Sequence, residues 1–431
     1  MIFEFELSEY FMGDKLDESL ANGWFRDGNM LSRYELIYFK RKVNAVVPLR
    51  VDLDDYQFSK GQRKLLQKNN RKFRTVIRPF SLSAEKEELY QMHKNRFDEA
   101  SPPTLYRYFF DEVHKAVFDT WEFCVYDGDK LIAASFVDLG KESICSILAV
   151  FHPDYGQYSL GMYTIFLELQ YAESKGLKFY YPGYIFDQPS IFDYKKRLKN
   201  LYFYDWRGGW HKIEDLPHKE TIREKLISEL SSIQDFLLES YHLRLRQKDN
   251  PAFFSHVWHN SFHIANVIKS PIYLEKKTKW GHRISVEYLS TKDVFLLSPH
   301  SDGEDHFVSK DKTDVGKELI KVIQTVEREE EISVFALQAI ETLLQHEGEF
   351  SSELFLQADT TSIRNFLYLE FAGKYNDFRV GYDTNEGFYS LSYFVDFEED
   401  ELICDSVYPE EIVEMILKCI DQKNFEGLDF I

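Results

Sequence analysis

Phe151-His152-Pro153-Asp154-Tyr155-Gly156-Gln157-Tyr158-Ser159-Leu160-Gly161-Met162-Tyr163 is the stretch on which the fold turns. Its first half holds Pro, Asp and Gly, which favour a turn. Its second half opens an apolar helical run, LGMYTIFLELQYAESKG, with Gly176 as the natural stop. A loop that ends at a helix start leaves backbone N–H groups without intrahelical partners and adds the positive end of the macrodipole. Ser159, Leu160 and Gly161 therefore suit a phosphate or a developing oxyanion.

Three strands precede this loop: WEFCVYD, KLIAASFVDLG and SICSILAVF. The first two are joined by a DGDK turn in which Gly128 can take φ > 0. A strand (LKFYYPGYIF), a short basic helix or loop (IFDYKKRLK) and a last strand (NLYFYDWRGGW) come after the helix. Upstream, residues 14–27 read as a helix, 33–53 as strands, and 84–118 as mostly helical, interrupted at Ser101-Pro102-Pro103. This order of elements matches an α+β acyltransferase fold, the GNAT fold. Users of acetyl-coenzyme A in that fold carry Q/R-x-x-G-x-G/A at this loop. Here Gln157 is followed by Leu160 and Met162 where the two small residues belong, which argues against coenzyme A.

A basic stretch, SKGQRKLLQKNNRKFRT, spans 59–75 with seven cations (Lys60, Arg63, Lys64, Lys68, Arg71, Lys72, Arg74), no acid, and Ser59 as a plausible N-cap. Such a run is either a solvated helix face or a set of phosphate contacts. The overall net charge of −20, taken alone, counts against a nucleic-acid partner. The charge is uneven, however. Residues 1–217 hold 30 basic and 32 acidic side chains, while 218–431 hold 22 and 40. At about 150 residues per domain, 431 residues suggest two or three domains.

The 37 Phe and 27 Tyr are ample for packed cores and exclude a disordered chain. No apolar run is long enough to span a bilayer, and the acidic MIFEFELSEYF start does not read as a secretory signal. Cys124, Cys145, Cys404 and Cys419 are scattered, without CxxC, so neither a disulfide framework nor a zinc site is expected, and a cytoplasmic location is. His256, His259 and His263 fall on one helical face, but with no carboxylate nearby they read as core or surface imidazoles rather than metal ligands.

The segment YYPGYIFDQPSIFDYKKRLK, at 180–199, is either an aromatic sheet edge with a surface basic cluster or a pocket wall of Tyr184 and Phe192 with Lys195 near a polyanion. Over residues 10–215 the chain resembles the arginyl/leucyl-tRNA–protein transferases of the N-end rule. The family pattern Y-Y/F-D-P-D/E-Y-x-x-x-S-L-G-x-Y is met by Phe151 to Tyr155 and Ser159 to Tyr163. Its Y-x-G-Y-x-I and K-M-x-Y-K segments are similar to Tyr181-Pro182-Gly183-Tyr184 and Phe192-Asp193-Tyr194-Lys195, with matching spacing. Its F-x-P-S-K-S-Q-R-K segment resembles Phe58 to Lys64 preceded by Tyr56-Gln57. Gly23-Trp24-Phe25-Arg26 and Val47-Pro48-Leu49-Arg50-Val51 resemble two further family motifs. There are departures. Lys40, Val43 and Val46 occupy the aligned positions of the family's cysteine cluster, and cannot hold a metal or an iron–sulfur cluster. His152 replaces Asp, Pro182 replaces Leu, and Pro189 replaces Cys.

The resemblance implies transfer of an arginyl or leucyl group from charged tRNA, as co-substrate with no other cofactor and no metal, to the α-amine of a protein or peptide N-terminus, with one beginning with Asp or Glu expected. Two other functions stay open: a GNAT enzyme with another acyl donor, and a transferase-derived binding protein. The amides around Ser159 and Gly161 would be oxyanion donors, with Tyr184, Phe192 and Tyr194 lining the aminoacyl pocket. Lys195, Lys196 and Arg197 would face the acceptor stem together with Lys60, Gln62, Arg63 and Lys64. Asp154, Asp187 or Asp193 would hold an ammonium or act as base. Arg26, Lys40 and Arg50 would receive an acidic N-terminal residue. The expected organisation is a transferase N-terminal region over 1–75, a GNAT-like domain over 76–217, and a separate acidic α+β region over 218–431. Within that region, 293–312 reads as an acidic, turn-rich loop, and two helices are expected, DVGKELIKVIQTVEREEE and ISVFALQAIETLLQHEG. No internal repeat is visible, and the oligomeric state is not legible.

Overall fold

A computed structural model describes residues 1–94, 102–110, 117–218, 220–251, 253–254, 270–279, 282–298, 307–344, 350–355, 366–371, 378–383, 387–395, 399–406 and 408–421. The chain divides into two compact units, Met1–Lys225 and Leu226–Ile431. His256, His259 and His263 lie outside the described residues, as do 299–306 of the expected acidic loop. Among the described residues, no helix is long and apolar enough to cross a membrane.

The first unit runs β1 (Phe3–Leu7), α1 (Asp14–Ala21), β2 (Phe25–Asp27), β3 (Met30–Tyr34), β4 (Leu36–Phe39), β5 (Lys42–Asp52), α2 (Lys60–Asn70) and β6 (Arg74–Pro79). It continues with α3 (Ala84–Lys94), α4 (Leu105–Phe109), β7 (Thr120–Asp127), β8 (Lys130–Leu139), β9 (Ser143–Phe151), α5 (Leu160–Ser174), β10 (Phe179–Tyr181), β11 (Tyr184–Phe186), β12 (Leu201–Tyr204) and β13 (Trp210–Lys212). Helix α6 (Ile222–Tyr241) crosses the division between the units.

Ten of these strands form one sheet, ordered β13-β12-β5-β10-β9-β8-β7-β6, with β4 and β11 also paired to β5. Strands β6 to β9 are an antiparallel meander. Helix α5 then crosses over, so that β10 returns parallel to β9. Strand β5 is buried along nearly all its length and sits in the middle of this sheet, between β12 and β10. Strands β4 and β5 are therefore woven into the same sheet as the meander, whereas β1, β3 and β2 form a separate three-stranded sheet.

Helix α5 buries Leu160, Tyr163, Ile165, Phe166, Leu167, Leu169 and Ala172, which accounts for its almost unbroken apolar sequence. These residues share a core with Val47, Leu49 and Val51 of β5 and Phe123, Ile132 and Val137 of the meander. Helix α2 starts on a capping box in which Gln62 N donates to Ser59 Oγ and Ser59 N donates to Gln62 Oε1 at 2.7 Å.

Two details of the sheet shape the site. The expected strand LKFYYPGYIF is broken into β10 and β11 at Pro182-Gly183, because Pro182 offers no N–H and Gly183 takes φ +82°. The β8–β9 pairing shifts register between Phe136 and Val137, placing Phe136 opposite Leu148 but Val137 opposite Ser146, so Ile147 bulges out.

The second unit contains two five-stranded antiparallel meanders. The first is β14 (Arg246–Asp249), β15 (Ile272–Lys277), β16 (Arg283–Leu289), β17 (Val294–Ser298) and β18 (Phe307–Ser309). The second is β19 (Phe350–Phe355), β20 (Phe366–Phe371), β21 (Phe378–Asp383), β22 (Phe388–Val395) and β23 (Glu399–Ser406). Helix α7 (Lys312–Leu344) lies between them in the chain and α8 (Pro409–Asp421) follows. The two helices expected over 314–348 are one helix. No Gly or Pro stands at the Glu331–Ile332 junction, and Leu319, Ile323, Val326, Val334, Leu337 and Ile340 form one buried stripe across it.

Candidate functional site

Strand β10 pairs with β9 only through Phe179–Ser143, Tyr180–Ile144 and Tyr181–Cys145. Beyond Cys145, β9 continues to Phe151 beside β8 alone, while the other chain turns at Gly183 and pairs with β5 as β11. A wedge thus opens between the two strands. On the β9 side, Ser146 to Ala149 are half-buried.

The loop after β9 forms a 3-10 turn over Pro153–Tyr158 and delivers Ser159 in the left-handed conformation (φ 49°, ψ 49°) just before α5. A non-glycine residue held there stores backbone strain, a feature that clusters at functional positions. The Ser159 side chain is exposed and does not cap the helix, and its amide donates to Gly156 O at 3.1 Å. Leu160, Gly161 and Met162 form the first helical turn, whose amides have no intrahelical acceptor. Gly161 is needed for packing as well, since a Cβ there would stand 3.3 Å from the Phe151 ring.

All seven cations of the basic stretch are exposed. Its helix is fastened to the loop before α5: Asn69 Nδ2 donates to Tyr158 O at 2.9 Å, and Tyr163 Oη donates to Asn70 Oδ1 at 2.6 Å. Lys68 and Lys72 lie over the Tyr158 ring at 5.0 and 4.4 Å, and Lys72 Nζ donates to its hydroxyl, which holds that phenol below its usual range. The basic face and the α5 N-terminus therefore form one continuous cationic and N–H-donating surface.

At the closed end of the wedge, Glu168 of α5 is fully buried. Tyr180 Oη donates to its Oε2 at 2.7 Å, whereas Oε1 has no well-formed hydrogen bond and only looser contact with the Ser135 and Ser146 hydroxyls. Burial pushes this carboxyl up to about 7, although Ser135, Tyr180 and Ser146 pull the other way. Glu168 is missed by the sequence reading; its only signal is a lone carboxylate inside an otherwise apolar helix.

Lys195, expected at the acceptor stem, is instead buried, 9% exposed. Its Nζ donates to Tyr184 O at 2.9 Å and lies near the Phe192 and Tyr184 rings, and burial lowers it to about 8. Tyr184 packs on Phe186, Phe192 and Phe25, and burial pushes its phenol up to about 12. The expected aromatic wall of Tyr184 and Phe192 is thus assembled. Tyr194 stands on the 3-10 turn Asp193–Arg197, partly exposed, its phenol pushed up to about 12 by burial and then by the charge of Glu168. Lys196 and Arg197 are exposed, and Lys196 pairs with Asp193 at 3.2 Å.

Other expected residues are already engaged in the fold. Asp187 is buried, accepting from Ala45 N at 2.9 Å and pairing with Arg223 at 3.5 Å, so it holds β5 rather than a substrate. Asp154 is exposed beside His152. Arg26 is buried against Asp138 at 2.8 Å, donates to Phe109 O and Gly28 O, and lies over the Phe118 ring. Arg50 is sandwiched between Phe179 and Trp210. Lys40 is exposed on the β4–β5 turn with φ 49°. Arg26, Lys40 and Arg50 therefore do not converge as one cationic pocket. Gln62 is occupied by the capping box, whereas Lys60, Arg63 and Lys64 remain on the exposed face.

The first unit thus combines a meander, a crossover helix with an open N-terminus and a splayed parallel strand pair, the arrangement expected of a GNAT-like acyltransferase. Comparison with known proteins names the family. Residues 85–205 match the family described as Arginine-tRNA-protein transferase, C terminus. An aspartate/glutamate leucyltransferase of Campylobacter jejuni is 27% identical over 185 residues, 42% of this chain and 75% of that protein. Those of Leptospira interrogans and Acinetobacter baumannii are 27% identical over 180 residues and 26% identical over 212, with 68% and 76% of their lengths covered. This part of the chain is similar to the aminoacyl-tRNA–protein transferases, and that likeness supports an aminoacyltransferase. Among solved structures, FemX superposes with a TM-score of 0.30 at 10% identity, covering 44% of this chain and 66% of its own. L-PGS from Bacillus licheniformis superposes with a TM-score of 0.27 at 11% identity, covering 35% of this chain and about half (48%) of its own.

Proposed function

We propose that this protein takes an arginyl or leucyl group from charged tRNA and joins it to the α-amine of a protein or peptide whose first residue is Asp or Glu. The observation that carries this reading is the fastening of the basic helix α2 to the start of α5 through Asn69 and Tyr158. It aligns a row of exposed cations with the first-turn amides, as a polyanion carrying a reactive ester at its end requires. The names of the relatives support the donor and acceptor classes.

The chemistry is aminolysis of an ester. The acceptor amine, ordinarily near pH 8 in its titration and so partly free at neutral pH, attacks the ester carbonyl. The tetrahedral oxyanion is met by the amides from Leu160 to Met162, the Ser159 amide being committed to Gly156. The ester bond breaks, and the 3′-hydroxyl of the tRNA leaves with a proton. Tyr184, Phe192 and Tyr194 flank the aminoacyl group, while Lys60, Arg63, Lys64, Lys196 and Arg197 meet phosphates. Positioning of two large substrates supplies most of the acceleration. The domain is GNAT-like, and leucine at 160 and methionine at 162 disfavour a coenzyme A donor.

The full chain, incubated with tRNA bearing labelled arginine or leucine and a peptide beginning with Asp or Glu, is expected to move label to the peptide. Absence of transfer from both tRNAs overturns the proposal.

A further inference from the structure

The reaction as proposed handles a donor amino acid that always bears an α-ammonium and, for arginine, a guanidinium as well. A cation drawn into a buried site needs a counter-charge there. The three aspartates expected to serve do not: Asp187 is tied to Ala45 and Arg223, Asp154 is exposed at the loop, and Asp193 pairs with Lys196. Glu168 is different. It is fully buried, and its Oε1 has no well-formed hydrogen bond, with only the Ser135 and Ser146 hydroxyls nearby.

The surroundings of this carboxyl are polar. Helix α5 supplies the carboxylate, β8 supplies Ser135, β9 supplies Ser146, and β10 supplies Tyr180, which fixes Oε2 at 2.7 Å. Tyr194, 37% exposed, feels its charge. Cys145 of β9 is a further titratable neighbour, buried and pushed well up by desolvation. A buried carboxylate oxygen without a well-formed hydrogen bond is costly for a fold that gains nothing from it, at about 1–3 kcal/mol.

We propose that Glu168 is the buried counter-charge for the cationic group of the aminoacyl donor, its Oε1 and the Ser135 hydroxyl receiving the N–H groups of that cation. The inference rests on the transfer reaction proposed above and assigns the residue that reads its donor. Two cations have the required chemistry, the α-ammonium common to every donor and the guanidinium of arginine, and one experiment separates them.

Argininamide and leucinamide share the α-ammonium and differ in the side chain. The full-length protein and Glu168→Gln, a near-isosteric change, are heated with each amide at neutral pH. Stabilisation of the wild type by both amides, lost in Glu168→Gln, identifies the α-ammonium. Stabilisation by argininamide alone, again lost in the variant, identifies the guanidinium. A wild type stabilised by neither amide, or a variant stabilised as well as the wild type, overturns the proposal. Glu168→Gln alone is expected to melt no lower than the wild type, because it removes a charge whose burial is unfavourable.

Transfer assays give the second readout. In Glu168→Gln, kcat/KM for the charged tRNA is expected to fall roughly 10- to 100-fold while binding of uncharged tRNA is unchanged. Undiminished transfer by the variant beside an active wild type overturns the role of Glu168 alone. Absence of transfer by the wild type overturns the reaction itself, and is thereby distinguishable.

Discussion

The Asn69 side-chain amide donates a 2.9 Å hydrogen bond to the Tyr158 carbonyl, linking the basic helix to the residue that precedes the left-handed Ser159. Asn69 is fully buried. Its bond holds the phosphate-binding face and the oxyanion-binding turn in register, so its loss acts on transfer as well as on stability. Asn69→Ala leaves the Tyr158 carbonyl without this donor and is expected to cost about 1–3 kcal/mol in urea unfolding. It is also expected to lower the transfer rate more than it lowers tRNA affinity. An unchanged rate in a folded variant contradicts the link.

The cations on and just after α2 act additively if they meet phosphates. Lys64→Ala, Lys68→Ala and Lys72→Ala are each expected to weaken tRNA binding. Each is also expected to reduce the slope of log K against log salt by about 1. Equilibrium binding at several salt concentrations reads this directly; unchanged slopes place the partner elsewhere.

Arg26 distinguishes a structural from a substrate-binding role. Its guanidinium pairs with Asp138, whose side chain is 1% exposed, and burial pushes that carboxyl above its usual range despite the partner. Arg26→Ala strands a buried carboxyl and is expected to destabilise by about 3–5 kcal/mol. Adding Asp138→Asn is expected to recover much of that loss in denaturant titrations. Normal stability with lost acceptor specificity would return Arg26 to the substrate.

The pH dependence of stability carries the signature of Glu168. Its carboxyl is raised from 4.5 to about 7 in the folded state, so the native protein binds more protons than the unfolded chain between those values. Stability therefore falls as pH rises across that window. Glu168→Gln is expected to abolish the fall, so that the variant gains on the wild type toward neutral pH. Parallel curves for the two proteins in thermal melts contradict the assignment.

From β7 onward the order of elements was legible because several carry their own punctuation, whereas β1, β2 and β6 were not read and 14–27, expected as one helix, is helical only over Asp14–Ala21 before β2. The Ser59 cap with its N3 glutamine, the Gly128 turn and the Gly176 stop are local signals, and the structure uses all three. The place of β5 at the sheet centre was not legible, since strand pairing is non-local and a run such as VNAVVPLRV reports burial without naming a partner. Site residues divide in the same way. The exposed cations of α2 could be read off composition, but Lys195, Arg26 and Asp187 carry charges that say nothing of burial, and the fold turned each inward. Glu168 was hidden for the opposite reason: one acidic residue in an apolar helix looks like an ordinary surface position until Tyr180 and Ser135 close over it. In the second unit, β21 and β22 announce themselves by aromatic alternation, while the shorter strands of the first meander do not.

The central claim is transfer from charged tRNA to an N-terminal α-amine. The measurement closest to it is mass spectrometry of a peptide beginning with Asp or Glu after incubation with the full chain and tRNA charged with arginine or leucine. The account predicts a product longer by that one amino acid at its N-terminus, absent when the tRNA is uncharged or the α-amine is acetylated. A peptide left unmodified with both charged tRNAs would contradict it.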